Sequence, residues 1–376
     1  MSFAPGREHL LFQRTVRRFA EGVLRPAAAD ADEAGRFGPT VLAQVAQTGL
    51  FGLLVPRPLG GAGVDTLRWV LALEAVAHAS AAMASILIAH GVLACWPFAR
   101  TAPAHADPLL SRLARGEALA GGHWPPHAVT AGAPLPTATR EATGTWRLHG
   151  ALNRLHNAPT ASTYVLWART APDAVLALFV GAPGPGLTIG PPRDELGRRG
   201  APAAPAILDG YTLGGEALLA HGAEASTLAA ELRDLHRLSV AAQALGIAQA
   251  ALDAATHYAG TRQQFGQLIG RFQGLRWLLA DLHLAVEGAR LLVYRAAALR
   301  DAGEPFGPVA ALARLAAGQT ATRVATKAVQ VHGGYGYLRE SPVQRYLRDA
   351  KSTELAGDTS ATLRDDIARA LLPLDA

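Results

Sequence analysis

Cysteine is almost missing from this chain: Cys95 is the single one in 376 residues. That excludes a disulfide framework and a cysteine-rich metal site. Aromatic residues are scarce as well, at 6%, while half the chain is hydrophobic. With alanine abundant, this balance favours closely packed helices over sheet. Runs of like charge are absent too. The formal charge of +5 is spread along the chain, so no nucleic-acid partner is expected. A basic surface suits an acidic partner molecule, although scattered exposed charges serve solubility equally well. The N-terminus lacks a basic, apolar, small-residue leader. The longest apolar stretches carry Glu74, His78 and His90, so no membrane span is expected. A cytoplasmic protein without a membrane partner is the simplest reading.

What is present divides the chain into three parts, as its length permits. Residues 1–117 read as a helical domain. Phe12, Val16, Phe19 and Val23 recur at spacings of three and four, and Pro26 is expected to close that helix. Residues 56–63 are dense in proline and glycine and read as a loop, and 66–99 as one or two buried helices. Residues 118–225 read as a β domain, since short β-rich runs such as 145–149, 164–168 and 174–180 alternate with turn residues. Residues 226–376 return to helix. Leu228, Leu232, Leu235, Ala242, Leu245 and Leu252 form one long stripe, and further helices fit 272–302, 306–332, 340–355 and 360–372. The fold class is therefore mainly α with a central β domain.

Three phrases in the last domain carry chemistry. In Arg262-Gln-Gln-Phe-Gly-Gln, a guanidinium fork at a helix end suits a phosphate, and Gly266 permits close backbone approach. The competing reading is an ordinary helix terminus with a capping glycine. Gln330-Val-His-Gly-Gly-Tyr-Gly-Tyr follows, where adjacent glycines leave N–H groups open to a phosphate or an adenine edge. They would equally serve a plain turn, and no βαβ unit surrounds them to make a dinucleotide fingerprint. In the third, Arg345, Arg348, Asp349 and Lys351 sit at helical spacing that favours ion pairs.

In this order, the three phrases resemble the C-terminal half of the acyl-CoA dehydrogenase family. The helix, sheet, helix plan resembles it over nearly the whole chain: an N-terminal helical domain, a middle β-barrel and a C-terminal four-helix bundle. The resemblance implies FAD as cofactor. Arg262, Gln264, Phe265 and Gln273 would reach the FAD of a neighbouring subunit, and Gln330, Gly333 and Gly334 would line its adenosine end, with Thr359 also on the cofactor. It further implies a homodimer or homotetramer and an acyl-CoA or acyl carrier protein substrate. Asp234 and Arg237 would lie near the thioester carrier, and an electron-accepting flavoprotein or reductase would be a partner.

At the reacting end the chain departs from the family. Dehydrogenation needs a base for the acidic α-proton, and a carboxylate in a dry pocket serves because desolvation raises its pKa. Alignment places Gly357 where most of the family has this glutamate, and His236 where some members carry it instead. Three substitutes present themselves. His236 has an unperturbed pKa near ~6.5 but would also pack as an ordinary helix histidine. Asp358 is adjacent but equally suits a helix start beside Thr359. Glu354 lies inside a helix and reads as structural. The flavin-facing phrases differ too, leaving Trp124, His127, Arg154 and His156 to form a different flavin pocket or none. Three functions follow: acyl thioester dehydrogenation with a relocated base, a flavin-dependent monooxygenase that needs no such base, or a flavin-poor binding subunit.

Overall fold

The apolar stripe Phe12, Val16 and Phe19 forms α1 (Arg7–Phe19) in the computed structural model, which describes residues 5–101, 108–124, 135–158 and 160–372. Pro26 does not end this helix. One π-helical turn, Ala20–Leu24, leads directly into α2 (Arg25–Ala34), which holds Pro26 in its first turn. The proline is accommodated because a first-turn residue needs no N–H donor and the π turn shifts the hydrogen-bond ladder. After α3 (Pro39–Gln47) come α4 (Thr66–Ala79) and α5 (Ala81–Ile88). Ser80 separates these two, its Oγ accepting from the Met83 N–H at 3.3 Å as a helix cap. A second π turn, Ala89–Cys95, runs on into α6 (Trp96–Thr101), followed by α7 (Pro108–Ala114).

Contrary to the sequence expectation, two helical stretches are long and apolar enough to cross a membrane, Ala81–Thr101 and Ala223–Thr261. Their most apolar windows are 94% and 83% buried inside the protein. The apolarity is thus that of core helices, which a hydropathy rule alone does not separate from membrane spans.

Eight strands make the central sheet: β1 (Ala120–Gly122), β2 (Thr137–Arg140), β3 (Trp146–His156), β4 (Thr163–Thr170), β5 (Val175–Gly181), β6 (Leu187–Ile189), β7 (Ala203–Leu213) and β8 (Leu218–His221). Their order is β6-β7-β3-β1-β4-β5-β8, with β2 bridging β3 and β4. Alternation along β4 sends Tyr164 and Leu166 into a core inside the sheet, with Trp146, Phe179 and Tyr211, and Val165 and Trp167 into the helical core. The sheet curls far enough for Tyr211 Oη on β7 to donate to Ala182 O, just past β5, at 2.6 Å. It is barrel-like, with β6 and β8 at the ends of the strand order. At its helical edge Asn157 donates to Ala120 O and Ile86 O at 2.9 and 3.2 Å, pinning the end of β3 to α5.

The C-terminal bundle comprises α8 (Gly222–Thr261), α9 (Gln273–Asp301), α10 (Gly307–His332), α11 (Pro342–Leu355) and α12 (Ser360–Leu371). Between α8 and α9, β9 (Gln263–Gln264) and β10 (Gln267–Leu268) form a small hairpin. Helix α8 packs against α4 on one side and α10 on the other. Its middle therefore faces both helical domains and the end of the sheet, which is where the cavity lies.

Candidate active site

A cavity of about 720 Å³ opens where α5, the end of β3, the segment between β6 and β7, α8 and α11 converge. That volume is in the range of cofactor and substrate sites. Ile88, Ala89, Leu93 and Val240 give it apolar walls, and Trp124, His156, Arg198 and His236 bring polar groups. Two buried donors on this lining, Trp124 Nε1 and Arg198 Nε, have no hydrogen-bond partner among the described residues. Unpaired buried donors are costly. They therefore fit an acceptor-rich group such as a flavin ring or an acyl ligand. His127 lies outside the described residues.

His236 stands on α8 with only 6% of its surface exposed. Its ring packs against Trp124, centroids 4.1 Å apart. Opposite is Gly357, whose φ of +74° is left-handed. A Cβ built there would lie 3.0 Å from His236 Cε1, 3.2 Å from Nδ1 and 3.2 Å from Trp124 Cζ2. The imidazole thus fills the volume into which a side chain at 357 would project, and it lines the cavity. Burial first, then the positive charges of Arg314, Arg198 and Arg237, hold its pKa well below the usual imidazole value. His236 is consequently held in its neutral form at pH 7, with one ring nitrogen protonated and the other an acceptor.

The neighbours expected to join it are engaged elsewhere. Arg237 is 3% exposed. It donates to Asp358 Oδ2 at 2.5 Å, to Asp234 Oδ1 at 3.4 Å and to Asp366. Asp358, 4% exposed, is therefore a counter-ion to that guanidinium, and neither it nor Arg237 or Asp234 lines the cavity. Thr359 caps α12, its Oγ1 accepting from the Thr362 N–H at 3.2 Å. Glu354 pairs with Lys351 at 3.1 Å and accepts from Thr322. Replacing Arg237 by Met would remove the guanidinium that donates to buried Asp358 and to Asp366, with an expected loss of about 3–5 kcal/mol. Chemical denaturation at pH 7 checks this.

At the far end of α8 the two glycine-bearing phrases come together. The Arg262 guanidinium lies over the Tyr335 ring, 5.3 Å from its centroid, and Tyr258 stacks on His332 at 4.3 Å. Phe265 and Gly266 form the two-residue tip of the β9–β10 hairpin, both with positive φ (53° and 78°), as a type I′ turn requires. A phenylalanine in that region is strained, and here it is 91% exposed. Gln264, Gln273, Gln330, Gly333 and Gly334 are exposed as well. No Cβ at Gly333 or Gly334 would meet anything within 4 Å, so the backbone there is open to a ligand.

Four histidines, three of them buried and His156 half-buried, have depressed pKa values. Burial lowers His90 and His123 to about 4, and His156 and His236 lie well below 6.5. The sign is that of a base kept neutral by the fold. As pH falls through the unfolded value of ~6.5, the unfolded chain takes up protons that the folded chain refuses. Asp349, raised to about 6 mainly by burial, opposes this, because in the fold it holds a proton that it releases when unfolded. The histidines outweigh it. Stability is expected to fall by on the order of 3 kcal/mol between pH 7 and 5, which denaturant midpoints at the two values would register.

Sequence reasoning missed Arg198, Ser85 and Gln243, all of which line the cavity. No motif marks them, and only the fold brings β6–β7, α5 and α8 together.

A barrel-like sheet clasped between two helical domains, with a cavity where they meet, is the architecture of a class of flavin-using acyl oxidoreductases. The acyl-CoA dehydrogenase N-terminal domain family matches residues 6–117, and the corresponding C-terminal domain family matches 227–372. The mitochondrial short-chain specific acyl-CoA dehydrogenase of Mus musculus is 36% identical over 97% of this chain and 90% of its own. The short-chain specific acyl-CoA dehydrogenase of Clostridium acetobutylicum is 36% identical over 96% of this chain and 97% of its own. Among solved structures, butyryl-CoA dehydrogenase from Megasphaera elsdenii superposes with a TM-score of 0.92 at 32% identity, covering 99% of this chain and all of that one. The chain belongs to the acyl-CoA dehydrogenase family. It is an oxidoreductase of that type, for which FAD is the expected cofactor.

Proposed function

We propose that the protein dehydrogenates a short acyl thioester, on CoA or an acyl carrier protein, at the α,β bond, with His236 as the base. One observation carries this reading: the His236 imidazole occupies the space beside Gly357 where the family's glutamate side chain would project. A neutral imidazole has a lone pair ready for the α-proton. It also spares the dry cavity an unpaired carboxylate. FAD, when bound, supplies the acceptor for the hydride that leaves Cβ. Trp124 and the apolar walls exclude water, and Trp124 also limits the tilt of the His236 ring by packing on it.

In this reading Arg237, Asp234, Asp358 and Thr359 are structural. Their network fixes the start of α12 against α8 and holds the Gly357 backbone beside His236. The proton taken from Cα stays on the imidazole until the product leaves. His236 is destabilised as a cation by Arg314, Arg198 and Arg237, which favours its return to the neutral form.

Twenty-six residues of α8 separate His236 from Arg262, roughly 39 Å along a straight helix. One dinucleotide does not bridge that distance, so the Arg262 end serves the cavity of a second copy. Two exposed features favour such an assembly. One is the strained Phe265 tip. The other is a stripe of Trp277, Leu284 and Leu291, each more than 60% exposed, repeating every two turns of α9. Arg262→Ala is expected to weaken FAD binding about 10- to 100-fold, the range for a charge-assisted hydrogen bond. The flavin-to-protein ratio after gel filtration measures it. Re-oxidation would fall to an electron-accepting flavoprotein or reductase.

The base assignment has its own test. In deuterium oxide the protein should exchange the α-proton of a thioester whose β position cannot be oxidised, followed by mass spectrometry. Exchange that persists undiminished in His236→Gln would remove His236 from the role.

A further inference from the structure

The β6–β7 side of the cavity carries a cation that makes no ion pair among the described residues, although the charges of Glu195 and Asp349 are felt there. Arg198 lies between β6 and β7 with φ +56°, a strained conformation for a non-glycine residue. Its direction is fixed from both sides. Its main-chain N–H donates to Asp349 Oδ1 at 2.6 Å, and the preceding Gly197 is pressed so closely on α11 that a Cβ there would lie 2.2 Å from Arg348 O. The guanidinium, in contrast, makes only one side-chain hydrogen bond among the described residues, Nη1 to Ser85 Oγ at 3.4 Å, and no ion pair. Its Nε is buried without a partner, and burial lowers its pKa to about 10. Of the other cations lining the cavity, Arg154 pairs with Glu195 at 2.7 Å, Arg348 with Asp32 at 2.5 Å and Lys351 with Glu354 at 3.1 Å, while the exposed Arg193 donates to Asn153 O at 3.2 Å.

Around Arg198 the floor is polar and built. Gln243, fully buried, donates through Nε2 to Ala81 O and Ser85 Oγ, each at 2.7 Å. Ser85 Oγ thus accepts from Arg198 and Gln243 and keeps its own hydrogen to give. Gln243, Val240 and His236 share one face of α8 at i, i+4 and i+7 spacing, so the floor lies about 10 Å along the axis from the imidazole. That span fits a short acyl chain with its Cα at His236 and its far end at Arg198.

We propose that the acyl group carries a terminal carboxylate, which Arg198 and Ser85 bind at the cavity floor. Arg198 is half-buried, but its Nε–H is buried and unpaired, which is costly, and a carboxylate meets that Nε–H and the Ser85 O–H with charge-assisted bonds. A chain ending in methyl would leave both donors unmet. The inference rests on the dehydrogenase reading only for which end of the substrate faces His236.

Calorimetric binding of three four-carbon CoA thioesters to the flavin-loaded protein tests it: butyryl, succinamyl and succinyl, ending in methyl, carboxamide and carboxylate. The carboxamide arm matters because Gln243 Oε1 is also buried without a partner and would welcome an amide N–H. Succinyl-CoA is expected to bind about 10- to 100-fold more tightly than either of the others. Arg198→Met should abolish that preference, read as the ratio of succinyl-CoA to butyryl-CoA affinity within the variant. Arg198→Gly, which also relieves the positive φ, provides the same comparison should the methionine variant fold poorly. Equal or tighter binding of butyryl- or succinamyl-CoA, or a uniform loss in both variants, would overturn the proposal. A carboxylate preference without bleaching of the flavin would uphold the pocket and remove the dehydrogenase reading.

Discussion

His236→Gln is expected to slow reduction of the bound flavin by an acyl thioester about 10²- to 10⁴-fold, the usual contribution of a positioned general base. Glutamine keeps much of the volume against Trp124 and Gly357 but offers no basic lone pair. Flavin content and thioester affinity should therefore change little, and the loss should appear in the rate of bleaching under anaerobic stopped flow. The pH profile is a second signature. Because burial and three arginines keep the imidazole neutral, the wild-type rate should show no acid limb near ~6.5. A rate that halves at that pH would mean that the base is not this histidine.

Gly357→Glu, which writes the family's glutamate back into the chain, is expected to destabilise the protein rather than improve it. The φ of +74° costs a non-glycine residue about 1–2 kcal/mol. The new Cβ would also press to 3.0 Å on His236 and 3.2 Å on Trp124, contacts of a kind that typically cost a further 1–3 kcal/mol when overpacked. Combining it with His236→Ala should recover much of the steric part, because the imidazole is what fills the space. The pair is therefore expected to be non-additive by more than about 0.5 kcal/mol in urea unfolding. If the single variants simply add, the two side chains do not compete for one volume.

Much of this protein could be read from its residues, for physical reasons that differ from site to site. Helices α8 to α10 were legible because apolar stripes recur over many turns, and the β domain because short runs such as 164–168 are bounded by turn residues. That Arg262 lies over Tyr335 of the Gly333-Gly334 phrase was not read from the sequence, because the contact is set by packing at the end of α8. Pro26 misled, since a local rule about proline does not anticipate a π turn just upstream. The reacting end was legible only as an absence. That His236 fills the Gly357 space depends on two residues more than a hundred positions apart meeting across α8 and α11. Asp358 remained a candidate in the sequence because nothing local announces that Arg237 holds it, and that contact too is set by packing. Arg198 carried no signal at all: an arginine in a loop reads as solvated until the fold buries it.

The most direct test of the central claim is anaerobic mixing of the flavin-loaded protein with a short acyl-CoA, recorded by its visible spectrum. The account predicts that the flavin band bleaches with wild type and bleaches at least about 100-fold more slowly with His236→Gln. A flavin band that no acyl thioester bleaches, in a protein that holds its cofactor, would contradict it.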